Sequence, residues 1–215
     1  MHRLRIKFKR EEEIKFISHL DLIRLWQRAL HRAGIPLAYS AGFSPHPRIS
    51  LAAPLALGVT SEAELMDIST TKLVSPHFFI AAVSQQLPPG IEILQVLRIA
   101  PNQPSLQSQV RYAEYRVEVE TDKKPEGIES ALHSLLSAEH LPWQHQRDTG
   151  PRNYDLRALI DDLWLIDWHR PCCTMGMRLR CGNSGSGRPE QVALALDFTH
   201  PPRSIHRTKL ILETS

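Results

Sequence analysis

Cysteine is scarce in this chain of 215 residues, which holds only Cys172, Cys173 and Cys181. An odd number with two adjacent excludes a disulfide framework. Long apolar runs are missing too. The longest weakly polar stretch, Ile49 to Val59, is broken by Pro54 and falls far short of the ~20 residues that a membrane-spanning helix needs. The opening Met1-His2-Arg3-Leu4-Arg5 has no apolar stretch behind it, so no secretory signal is read. These absences imply a reduced, cytoplasmic protein with no membrane segment. Catalytic signatures are lacking as well: no Walker loop, dinucleotide fingerprint, nucleophile elbow, zincin helix or Cys-x-x-Cys pair is present. His169, Cys172, Cys173 and Cys181 could supply four soft ligands, but vicinal cysteines at a strand start point to opposite faces, so no metal site is assigned. No cofactor is implied.

What is present is an ordinary globular composition, 42% hydrophobic and 23% charged, which excludes a disordered or fibrous chain. The net charge of +3 is unevenly spread. Residues 1–34 hold nine Lys and Arg against four acids, residues 35–169 ten against sixteen, and residues 170–215 seven against three. Basic ends around an acidic centre suit a polyanionic partner if the fold brings the ends together. The plainer reading, solvated strand and helix faces, stands beside it.

Arg3 to Lys9 alternates strictly, with Leu4, Ile6 and Phe8 on one face and Arg3, Arg5, Lys7 and Lys9 on the other. Ser18 caps a helix whose apolar stripe is Leu22, Trp26, Ala29, Leu30 and Ala33, and Gly34 ends it. Strands are expected over 48–53 and 64–71. A helix follows from the cap Ser75 and Pro76, and Ile91 to Ile99 is a strand. Residues 101–110 have linker composition. The order then returns: strand 112–120, helix 125–137, short strands at 143–147, 153–160 and 163–168, strand 174–181, helix 189–196 and strand 206–213. The expected fold class is α+β, tandem ferredoxin-like (β-α-β-β-α-β) sandwiches over residues 1–100 and 111–215.

Three stretches carry candidate chemistry. Tyr39, Ser40, Gly42, Phe43, Pro45, His46, Pro47 and Arg48 form a loop in which prolines flank His46 and hold its ring in place. Ser18, His19 and Asp21 open the first helix, where unpaired N–H groups favour anions and a histidine can act as acid or base. These two stretches are expected to line one concave site. Arg180 to Pro189 is a glycine-rich loop leading into a helix, with Gly185, Gly187, Arg180 and Arg188 placed to meet phosphate. The cations of the first strand, Arg3, Arg5, Lys7 and Lys9, are the other candidate RNA contacts. Their face carries no aromatic residue, which favours backbone contact with structured RNA over stacking on single-stranded bases.

Over nearly its whole length the chain resembles the bacterial radical-SAM-linked proteins, an uncharacterised family fused to, or encoded beside, cobalamin-binding radical SAM proteins. The matching residues are Phe16-Ile17-Ser18-His19-Leu20-Asp21-Leu22, Arg28-Ala29, the run from Tyr39 to Pro47, Pro54 to Gly58, Ser61 to Glu64, and Asp67. Tyr154-Asp155-Leu156-Arg157 and Gly185-Ser186-Gly187-Arg188-Pro189 match more loosely. The resemblance adds Arg28, Asp155 and Arg157 to the candidate site residues. It implies a radical SAM protein as partner and an RNA-directed role in processing, modification or ribosome-related work. The radical cluster motif is absent, so radical chemistry would belong to another polypeptide. Beginning at its own Met1, the chain reads as a stand-alone version or an excised domain. The leading expectation is a non-catalytic accessory module. Its rivals are a metal-independent endoribonuclease using His19, and a protein–protein scaffold in which Glu114, Glu118 and Glu120 face Arg178 and Arg180.

Overall fold

A computed structural model describes residues 1–100, 102–147, 150–182 and 185–213. Pro101 of the expected linker and Asn183 and Ser184 of the glycine-rich loop lie outside the described residues. The protein is mixed α/β, and the chain divides into two compact units, residues 1–110 with 212–215, and residues 111–211. No helix among the described residues is long and apolar enough to cross a membrane.

The first unit runs β1 (His2–Arg10), α1 (His19–Arg32), β2 (Ile49–Leu51), β3 (Thr60–Thr70), α2 (Pro76–Ser84), β4 (Ile91–Ile99) and a short α3 (Leu106–Gln109). Its strands lie in the order β4-β1-β3-β2, each neighbouring pair antiparallel. Alternation in β1 sets the layers. Leu4, Ile6 and Phe8 share one core with Leu22, Trp26 and Leu30 of α1 and Phe79 and Val83 of α2. Ser18 Oγ accepts from the Asp21 N–H and starts α1, and Gly34, with φ of +66°, turns the chain away after it. Arg10 continues the apolar face of β1 and is 1% exposed. Its guanidinium donates to the carbonyls of Ile14, Lys15 and Ile17, which ties down the turn before α1.

Residues 102–110 are less loop-like than the composition of the expected linker suggests. Ser105 caps α3 through the Ser108 N–H, and Leu106 and Val110 are buried. Composition reports solubility of side chains, whereas one cap and one well-placed leucine decide whether a segment packs.

The second unit runs β5 (Val110–Glu120), α4 (Pro125–Ser137), β6 (Pro142–Arg147), β7 (Gly150–Asp155), β8 (Ile160–His169), β9 (Cys172–Arg180), α5 (Pro189–Ala195) and β10 (Ser204–Leu212). Its main sheet has the order β10-β5-β9-β8, and β6 and β7 form a separate hairpin. The strand expected over 153–160 is divided. Asp155 accepts from the N–H groups of Leu141 and Arg157, and this turn ends β7 and opens a 3₁₀ turn before β8. Of the charge pairs expected across the sheet, Glu114 with Arg178 forms, at 2.9 Å. Arg180 stands opposite Tyr112, Glu118 opposite Thr174 and Glu120 opposite Cys172.

Candidate functional site

The two motifs of the first unit are built locally. Ser18 and Asp21 serve the start of α1: the Ser18 hydroxyl donates to Asp21 Oδ2 at 2.7 Å while its oxygen accepts from the Asp21 N–H. That hydroxyl and the Arg24 guanidinium hold the Asp21 carboxyl below the usual carboxylate range. His19 is half-buried on the first turn, and Arg28 is exposed farther along the helix. The Tyr39–Arg48 loop is a cross-bonded hairpin. Tyr39 bridges Pro47, Ser40 and His46 bond each other twice, and Arg48 Nε donates to the Tyr39 carbonyl. Phe43 at its tip is 110% exposed, so it plugs no core.

The two motifs are anchored toward opposite ends of β1. Ala38 and Arg48, the ends of the loop, bond Ser69, which stands opposite Arg3 at the start of β1. The turn before His19 is held by Arg10 at the other end of the same strand. Arg3 and Arg10 are seven residues apart, about 24 Å in an extended strand. The physical reason is the length of α1 between them: a helix that leaves one end of the sheet returns the chain to the other.

The cationic strand face is also corrected. Arg3 and Arg5 converge on Asp67, at 2.6 and 2.9 Å, with side-chain exposures of only 14% and 11%. Arg3 further donates to the carbonyls of Gln103 and Pro104, and Arg5 to Gln109 Oε1. Both guanidiniums are spent within the first unit and leave no free fork for phosphate. Lys9 pairs with Glu92 at 2.9 Å, and that carboxylate pushes its ammonium above the usual lysine range. Lys7 is half-buried.

In the second unit, by contrast, separate stretches meet. A cleft of about 490 Å³ is lined by His145, Arg152, Tyr154 and Asp155 of the hairpin, Ala158 and Leu159 of the 3₁₀ turn, Gly182, Gly185, Ser186 and Arg188 of the glycine-rich loop, and Gln191 of α5. Period-two alternation puts His145, Arg152 and Tyr154 on one hairpin face, with His145 directly opposite Arg152. Tyr154 donates its hydroxyl to Gln191 Oε1, and Arg188 Nη1 donates to His145 Nε2 at 3.2 Å. The loop is close to its walls. A Cβ on Gly187 would stand 3.0 Å from Leu179 Cβ and 3.1 Å from the Leu159 carbonyl oxygen, so only glycine fits without displacement.

Asp155 is the acid of this lining, and its oxygens are already occupied by the N–H groups of Leu141 and Arg157 and by His140 Nδ1 at 2.8 Å. The His140 bond, then the two backbone donors, hold its carboxyl below the usual range. Arg157 supports rather than lines the cleft. Its guanidinium donates twice to the Leu136 carbonyl near the end of α4 and once to that of Ile160. Arg180 is exposed and lies outside the lining. Sequence reasoning named Asp155, Gly185 and Arg188 but missed His145, Arg152 and Gln191. The alternation of His145 in β6 with Arg152 and Tyr154 in β7 was the available signal.

Among the described residues, no group of three or more His, Cys, Asp or Glu is placed to hold a metal ion. Cys172, Cys173 and Cys181 form no disulfide and are all buried. Burial, and secondarily the neighbouring Cys172, pushes the Cys173 thiol up to about 11 from its ordinary 9.0. Alkylation of Cys173 by iodoacetamide at about pH 8 is therefore expected to be about 100-fold slower in the native protein than in urea, from thiolate fraction alone. Peptide mapping by mass spectrometry reads the rate. Equal rates in both states would place Cys173 outside the sheet.

No curated protein matches the chain. Solved structures do, at the level of fold. A Cbf5–Nop10–Gar1 complex matches with TM-score 0.54 and 9% identity, covering 96% of this chain and 48% of the other. An H/ACA ribonucleoprotein bound to a substrate RNA containing 2′-deoxyuridine matches with TM-score 0.53 and 9% identity, over 96% and 47%. An archaeal box H/ACA Nop10–Cbf5 complex gives TM-score 0.51 and 10% identity, over 97% and 48%. The chain thus spans about half the length of the chains it matches. The profile of a bacterial family described as an uncharacterised conserved protein, DUF2344, matches residues 3–189, and the chain belongs to that family.

Proposed function

We propose that this protein is a non-catalytic, RNA-facing accessory module that works beside a radical SAM protein. The observation that carries the RNA-facing part is the cleft of the second unit, where Arg152 and Arg188 outnumber one carboxylate that is already engaged. A surplus of cations around backbone-rich glycine turns suits phosphate oxygens rather than base edges. The structural neighbours, an H/ACA ribonucleoprotein bound to a substrate RNA and a box H/ACA Nop10–Cbf5 complex, lend support. A ferredoxin-like reading of each unit is favoured by the order β4-β1-β3-β2 and its repetition as β10-β5-β9-β8, both of which have the 4-1-3-2 pattern of that fold once the β6–β7 hairpin is set aside as an insertion.

The radical SAM partnership rests on the resemblance of the motifs in residues 16–67 and 147–189. The loop bearing Phe43 is the surface we assign to that partner, because an exposed aromatic on a cross-bonded hairpin loses little entropy when it docks.

Gel shifts with a structured RNA, without divalent metal, test the reading. Arg152→Ala with Arg188→Ala is expected to weaken binding about ten-fold or more and to lower the log–log salt slope by about 2. Unchanged affinity and slope in the double variant would sink the cleft as the RNA contact. Cleavage of the RNA, lost in His19→Ala, would replace the binding module by a nuclease. Capture of the radical SAM protein without any RNA binding would leave the scaffold.

A further inference from the structure

We propose that one face of the second unit's sheet docks a basic, arginine-bearing segment of a partner protein, whose guanidinium stacks on Trp164. The proposal is independent of the RNA-facing cleft, whose ligand has the opposite charge. The starting observation is Gly176, in the middle of β9. A Cβ there would stand 1.9 Å from Trp164 Cε2 and 2.3 Å from both Cζ2 and Nε1. Cζ2 and Nε1 are the two atoms flanking Cε2 in the indole, so these distances put Gly176 on the normal to the ring. The indole lies face-down on the strand. A glycine weakens a strand interior, and a covering aromatic offsets that loss. This accounts for the inner face of the ring only. Trp164 is half-buried, and among the described residues neither an aromatic ring nor a cation stacks on its outer face.

The charges around that ring select the ligand. Cross-strand partners share a face, so Asp162, Trp164 and Asp167 of β8 stand on the side of Arg178, Gly176 and Thr174 of β9. The β5 ladder adds Glu114, Arg116 and Glu118 in the same rows. Arg178 is held by Glu114 at 2.9 Å and by Asp161 at 3.5 Å. Asp162, Asp167 and Glu118 then stand against Arg116 alone, with His169 beside Asp167 at 3.4 Å. A surplus of carboxylates beside an open indole suits a guanidinium, which stacks on the ring while its fork donates to the acids. The same surplus repels phosphate. A small ligand needs a concave site, whereas a sheet surface fits an extended chain. That chain lies across the face rather than adding as a strand beyond β8. Asp162 and Asp167 already accept from the N–H groups of Leu163 and Trp168, which blunts this edge of the sheet.

The test is NMR titration of the full chain, following the indole N–H of Trp164. The probes are a glycine–serine peptide bearing a pair of arginines and its citrulline counterpart, which keeps the shape and loses the charge. The arginine peptide is expected to move the Trp164 signal, and the citrulline peptide to bind about ten-fold more weakly or not at all. Trp164→Leu is expected to weaken the arginine peptide about five-fold, and Trp164→Phe to recover part of the loss. Asp162→Asn with Asp167→Asn keeps amide oxygens for the two backbone N–H groups, and is expected to weaken it about five-fold as well. Equal binding of the two peptides, or binding that leaves Trp164 unmoved, overturns the proposal. So does the absence of binding by either peptide. A single-stranded RNA that moves the Trp164 signal where the arginine peptide does not would overturn it too, and would make the ring a platform for a base.

Discussion

Asp67→Ala is expected to destabilise the first unit by about 3–5 kcal/mol, the range for removing one partner from a buried ion network. Asp67 is 4% exposed, and its two oxygens accept four hydrogen bonds: Nε and Nη2 of Arg3, and Nε and Nη2 of Arg5. Without the carboxylate, two like charges face each other at alternate positions of one strand with little water to screen them. Replacing all three members by apolar residues, Arg3→Met, Arg5→Met and Asp67→Leu together, is expected to return stability to within about 1 kcal/mol of the starting protein, since no charge is then stranded. Urea unfolding followed by hydrogen exchange of β1 amides reads the first unit separately. A loss of under about 1 kcal/mol in Asp67→Ala would mean that both guanidiniums reach water, and the strand face would again qualify as an RNA surface.

The same network changes what charge removal means in this protein. Arg3→Ala or Arg5→Ala is an experiment on folding, because each strands part of a buried carboxylate. Arg152 and Arg188 are exposed cations whose loss is an experiment on binding. A cation counted in a sequence says nothing of whether it is already spent.

That difference explains what was legible in the residues. Ser18, Ser75 and Gly34 were readable because a cap or a helix stop is decided within a few positions. The two faces of β1 were readable for the same reason, since alternation is local. Register is not local. Asp67 lies 64 residues from Arg3, and only the β1–β3 ladder shows that the two meet. The resemblance had picked out Asp67 without giving it a role; the ion network supplies one. The cleft was hidden likewise, because His145 and Arg188 are 43 residues apart and meet only when the hairpin folds over the glycine loop. Arg10 shows the same limit from the other side: alternation puts it on the apolar face of β1, but the three carbonyls to which it donates there are seen only in the folded turn before α1.

Trp26 gives the second large effect. It is fully buried in the first unit and packs edge-on against Phe8, with ring centroids 5.0 Å apart and planes at 68°. Trp26→Ala is expected to cost about 3–5 kcal/mol, the lost transfer of the indole plus the cavity left between β1 and α1. Trp26→Phe should cost far less, about 1 kcal/mol, and the reason is specific to this site. Trp26 Nε1 is buried with no hydrogen-bond partner among the described residues, so exchanging indole for phenyl removes an unsatisfied donor while keeping an aromatic edge on Phe8. The small void left by the lost ring atoms works against that gain. Trp26 is the sole tryptophan of the first unit, so its own fluorescence cannot follow the variants, and exchange of the β1 amides is again the readout. A Trp26→Phe cost approaching that of Trp26→Ala would show that the indole N–H contributes a bond to the native core, and the packing account of Trp26 would fall.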